Sequence, residues 1–107
     1  MVNIVQMMQK AGQVKTKMRE MQARAALTEV TGTAGGGLVT CRVNGSFELK
    51  TLKVAPSVIK PEDASVMEDM IVAAVNDARR KAEKYMSDET QKVMKDLGLP
   101  PGLDLPF

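Results

Sequence analysis

Between residues 28 and 54 apolar positions alternate with polar ones, and on either side they recur every three or four residues. Val39, Cys41 and Val43 alternate with Thr40 and Arg42, the period of a half-buried strand. Asn44-Gly45 follows, and because both residues tolerate positive φ the pair predicts a hairpin with a type I′ turn. Phe47 and Leu49 continue the alternation, whereas Leu52 and Val54 fall on the other parity. A bulge at Lys50-Thr51 restores the register. Upstream, Gly32 and Gly35-Gly36-Gly37 bracket a looser turn after a short strand around Thr28 to Thr31. The stretch predicts three antiparallel strands in a meander.

The flanks predict helices. Ile4, Met8, Ala11, Val14, Met18, Met21 and Ala25 are spaced by threes and fours, so a helix runs from Asn3 to about Ala26. The period is about 3.5 residues, a narrow coiled-coil seam rather than a wide core-facing stripe. At about 1.5 Å per residue the helix is roughly 36 Å long, against a radius of gyration of about 13 Å for a compact 100-residue domain. It overhangs its own sheet, and its seam requires a partner. A second copy of the chain is the economical answer. Past the sheet, Pro61 suits the first helical position, and Glu62 and Asp63 suit the positive end of the helix. Met67, Met70, Ile71, Ala74, Val75, Ala78, Ala82, Tyr85 and Met86 mark a wider face that lies on the sheet. Ser87-Asp88 caps a third, shorter helix with Val93, Met94 and Leu97, and Gly98 stops it. The fold class is α+β in the order α-β-β-β-α-α, one domain over residues 1–107, with a Pro-rich tail at 98–107 whose apolar residues pack or dock.

Composition narrows the function. Apolar content is 44% but aromatic content only 3%, with nine Met and no Trp, a thin, soft core for a monomer. No apolar run is long enough to span a membrane, and residues 1–9 do not read as a signal peptide. A lone Cys41 fits a cytoplasmic protein. The absence of His removes the commonest general base and metal ligand, and one Cys builds no zinc site. Gly35-Gly36-Gly37 lacks the Gly-Lys-Ser/Thr of a phosphate loop and leads into a strand. Glu62/Asp63 and Glu68/Asp69 read as solvated helix termini rather than catalytic or metal-binding carboxylates. No enzymatic activity, cofactor or metal is expected.

The net charge of +2 hides an uneven distribution. Residues 1–27 carry five cations against one anion, residues 61–77 five anions and no cation, and residues 78–95 six cations against three anions. Such polarity points to a polyanionic partner. Lys10, Lys17 and Arg24, seven apart, form one stripe beside the first helix's seam, and Lys15 and Arg19 flank its other side. Solvated coiled-coil edges give the same spacing; phosphate-gripping rails are the functional alternative. Arg79-Arg80-Lys81 with Lys84 has the same ambiguity. Gln6, Gln9 and Gln13 either reach base edges or are solvated.

Six sequence blocks, in order, resemble the YbaB/EbfC family of bacterial nucleoid-associated proteins over essentially the whole length. They are Met7-Met8-Gln9-Lys10 to Met18-Arg19-Glu20-Met21-Gln22, Val30-Thr31-Gly32, Gly35-Gly36-Gly37-Leu38-Val39, Val43-Asn44-Gly45, Glu68 to Ala78, and Leu99-Pro100-Pro101-Gly102-Leu103 to Pro106-Phe107. The resemblance implies a tweezer-shaped homodimer whose projecting helices bind duplex DNA in the nucleoid, altering its conformation and influencing gene expression. Carried over by element and charge, the DNA-binding positions are Lys10, Lys15, Lys17, Arg19 and Arg24, with Arg79, Arg80, Lys84, Lys92 and Lys95. The rival is a protein-interaction adaptor that grips a partner's helix with Met8, Met18 and Met21, a reading that the small net charge favours.

Overall fold

A computed structural model describes residues 3–99; the tail expected to pack or dock lies, from residue 100 onward, outside them. Helix α1 spans Ile4–Ala26, strands β1 Glu29–Ala34, β2 Val39–Asn44 and β3 Leu49–Val54 follow, and helix α2 spans Ala64–Asp96. The molecule measures 69 × 21 × 18 Å with a radius of gyration of 19.3 Å. That is well above the roughly 13 Å of a compact domain of this length. The overhang expected of α1 is therefore real.

The strands form an antiparallel meander in the order β1-β2-β3. Val39, Cys41 and Val43 are buried, and the alternating Arg42 is exposed. The bulge is present: Arg42 pairs with Thr51 but Val43 pairs with Leu49, leaving Lys50 as the extra residue. The hairpin turn is not the expected type I′. Positive φ falls on Phe47 (64°), not on Asn44 or Gly45. Asn44 organises the loop instead, its side-chain oxygen accepting from the amides of Ser46 and Glu48, each at 3.0 Å. Its amide nitrogen donates to the Ala26 carbonyl at 3.1 Å. Asn44 is thereby fully satisfied although only 1% exposed, as a buried polar group must be.

Gly32 does not bracket a turn. It lies mid-strand where α2 crosses β1, and a methyl group there would land on the Ala74 carbonyl and within 2.5 Å of the Ala78 amide. Ala74, Ala78 and Ala82, four apart and all buried, give α2 a flat face for this approach. With Val39, Cys41 and Val43 they make the core, flanked by Met70, Ile71 and Val75. The turn between β1 and β2 is the glycine triplet, each residue at positive φ.

The third helix is absent as a separate element. Ser87-Asp88 lies inside α2, which runs 33 residues without a break. No Gly or Pro interrupts residues 64–97, and Lys84 pairs with Asp88 at 2.9 Å across the expected boundary. The helix begins at Ala64, three residues past Pro61, which opens a 3-10 turn. Gly98 terminates the helix as expected, at φ 69°; the Leu99 amide reaches back to the Met94 carbonyl at 2.8 Å.

A candidate nucleic-acid interface on the two-helix arm

Helix α1 is not a free seam along its whole length. Its lower part packs antiparallel on the far half of α2. Thr90 Oγ1 lies 3.8 Å from Met21 Sδ, Leu97 sits across from Gly12 and Gln13, and Lys10 lies beside Gly98. Val14, Met21 and Ala25 are buried and Met18 is half-buried, whereas Ile4 and Met8 are 72% and 69% exposed. The expected seam is thus divided: the chain's own α2 covers its lower part, and the first turns lie open. α2 changes its buried face to match. Ala74, Ala78 and Ala82 face the sheet, then Val93 and Met94 turn toward α1. Two helices, rather than one, form the projecting arm.

All ten cations singled out in the sequence are exposed, and all lie on α1 and α2. On α1 they separate into two rows either side of the buried residues: Lys10, Lys17 and Arg24 on one flank, Lys15 and Arg19 on the other. On α2, Arg80 and Lys84 point away from the Ala74-Ala78-Ala82 face, and Lys92 and Lys95 point away from Val93 and Met94. The two helices therefore carry cations on several sides. Among the described residues Lys10, Lys15, Arg19, Arg24 and Lys95 form no ion pair. Lys17 pairs with Glu20 at 3.7 Å, Arg79 with Glu83 at 2.8 Å, Arg80 with Asp77 at 3.9 Å, Lys84 with Asp88 at 2.9 Å and Lys92 with Glu89 at 3.2 Å. All five lie within one helix; those of Lys17, Arg79 and Lys84 are exposed on both sides and contribute at most about 1 kcal/mol each, whereas Asp77 and Glu89 are half-buried.

Lys81 is used differently. Its ammonium donates to the Thr31 carbonyl at 2.8 Å and pairs with Asp77 at 3.1 Å. The Asp77 carboxylate accepts from the Thr33 amide at 3.0 Å. That amide, and after it Lys81, holds the Asp77 carboxyl below its ordinary range. The basic run at Arg79-Arg80-Lys81 is therefore part surface and part structural fastening. Charge spacing alone misses this; the clue was a lone Asp one turn before a Lys. The sheet adds exposed cations outside the expected set, Arg42, Lys50 and Lys53. Arg42 is shared with Glu29 at 3.8 Å. The glutamines are exposed, and Gln9 and Gln13 line a shallow groove with Gly12 and Leu97.

Cys41 is the buried strand residue that its position predicts, its thiol donating to the Ala74 carbonyl at 3.3 Å; burial pushes that thiol up. Among the described residues no three His, Cys, Asp or Glu side chains are grouped to hold a metal. No helix there is long and apolar enough to cross a membrane.

Comparison with known proteins agrees with this architecture. The chain is 50% identical over 107 residues to a nucleoid-associated protein of Rhodospirillum centenum, covering 100% of both. It is 46% identical over 107 residues to one of Rhizobium meliloti, again covering 100% of both. An uncharacterized protein of Helicobacter pylori shares the fold, with a TM-score of 0.74 at 24% identity over 82% of this chain and 92% of that one. Residues 1–97 match the YbaB/EbfC DNA-binding family, and the chain belongs to that family.

Proposed function

We propose that the protein binds duplex DNA in the nucleoid as a homodimer, chiefly through phosphate contacts from the arms. One observation carries the reading: ten exposed Lys and Arg residues lie along the two long helices α1 and α2, and five of them make no ion pair among the described residues. The relatives' names and the family's description support the nucleic-acid part. Two arms in one particle double the cationic set and hold the copies at a fixed separation. Gripping separated phosphates bends or bridges the DNA, which alters nucleoid organisation and gene expression. Arg and Lys neutralise phosphates and release counterions. Few groups are committed to base edges, so discrimination comes mainly from DNA shape. The work is architectural, with no catalytic step.

The adaptor reading loses its basis in the geometry, since Met21 is buried in the chain's own fold and Met18 half-buried. Only Met8 of that trio stays open. A titration of labelled duplexes of unrelated sequence tests the proposal, run beside a sedimentation measurement. Similar affinities for all duplexes by a two-chain particle are expected. A protein that ignores every duplex overturns the reading.

A further inference from the structure

The covered seam of α1 outruns the helix that covers it. The end of α2 lies across from Gly12 and Gln13, where Leu97 joins them in one groove. Ile4, Met7, Met8 and Ala11 continue the same side of α1 beyond Val14. Val14 is buried, but all four of these are exposed, Ile4 at 72% and Met8 at 69%. Adjoining apolar side chains left in water at the end of a buried seam mark a docking surface.

The chain itself supplies the occupant. Gly98 ends α2 at φ 69°, and the Leu99 amide returning to the Met94 carbonyl pins the start of the tail. Lys10 Nζ lies 3.9 Å from where a carbon on Gly98 would stand, so residues 100–107 begin beside the open surface. Eight residues reach at most about 26 Å at roughly 3.3 Å each, whereas α1 from Ala11 back to Ile4 spans only about 10 Å. Leu103, Leu105 and Phe107 alternate with Asp104 and Pro106, so an extended tail puts its apolar side chains on one side. Pro100 and Pro101 restrict the backbone in advance and lower the entropy lost on docking. Asp104 is the one charged residue of the tail, and Lys10, beside its start, makes no ion pair among the described residues. We infer that residues 100–107 dock on the first turns of α1 of the same chain, with their leucines against Ile4, Met7 and Met8 and Asp104 beside Lys10. Neither a second chain nor DNA is needed for this contact.

Methyl NMR of the full-length protein tests it. Nuclear Overhauser contacts are expected from the Leu103 and Leu105 methyls to those of Ile4, Met7 or Met8. A second sample, mixed from labelled and unlabelled chains and filtered for contacts between chains, should lack them. As an independent readout, Leu103→Ser/Leu105→Ser should shift the Met7 and Met8 methyl signals and leave those of Met21 and Met70 in place, since both lie away from the first turns of α1. Contacts that survive the filter would place the tail on another copy and overturn docking within the chain. The absence of any such contact, with Met7 and Met8 signals unmoved in the variant, would overturn docking altogether. Either result leaves the proposed homodimer and its DNA binding untouched, because the filtered contacts and the duplex titration are separate measurements.

Discussion

The carboxylate of Asp77 accepts the backbone amide of Thr33 at 3.0 Å, tying the middle of α2 to the outer edge of β1 across 44 residues of chain. The bond, reinforced by Lys81, depresses the Asp77 pKa. The sign follows. A carboxyl with a lowered folded-state pKa contributes stability that is complete above its unfolded value, roughly 4, and is lost as pH falls through the folded value. Asp77→Asn keeps the acceptor but removes the charge. Thermal unfolding followed by circular dichroism should show the wild type losing its advantage over this variant below about pH 4. A gap that stays constant down to pH 2 would show that Asp77 is not depressed.

Two glycines should respond in opposite directions. Gly32→Ala drives a methyl into the Ala74 carbonyl and the Ala78 amide, backbone atoms that cannot step aside. A cost of about 1–3 kcal/mol is expected, as for overpacking. Gly12 has open space around the same added carbon and sits inside α1, so Gly12→Ala should stabilise by roughly 1 kcal/mol. Urea midpoints of the pair measure both; a neutral Gly32→Ala would mean that α2 does not cross β1 so closely.

Asn44→Ala should be the costliest change in the hairpin. It leaves the Ser46 and Glu48 amides without their acceptor and the Ala26 carbonyl without a donor. A loss of about 1–3 kcal/mol is expected. Asn44→Asp, which keeps the acceptor but not the donor, should lie between. Equal stability of all three proteins in urea would remove Asn44 as the organiser of the loop.

The sequence showed what depends on local period. The strand alternation, the parity break that marks the bulge, the long α1 and the Gly98 stop are each decided by a few neighbouring residues. What it concealed depends on residues far apart in the chain. Met18 and Met21 read as an unfilled seam because nothing local shows that the far half of α2 returns to cover them. Gly32 read as a turn because a helix crossing leaves no mark beyond a missing side chain. The break expected at Ser87-Asp88 rested on cap chemistry, which an unbroken run of helix formers overrides. Among the cations, residue type and exposure were readable for all ten, whereas the fastening role of Lys81 required β1 in place.

The central claim is that α1 and α2 hold DNA by phosphate contact, and a salt series measures it most directly. Affinity for one duplex should be determined at several salt concentrations, for wild type and for Lys10→Ala/Lys17→Ala/Arg24→Ala. The account predicts a steep linear fall of log affinity with log salt for the wild type. In the triple variant that slope should shrink by about 0.9 for each phosphate contact removed, with weaker binding to every sequence. A flat salt dependence, or a triple variant whose slope and affinity match the wild type, would contradict it.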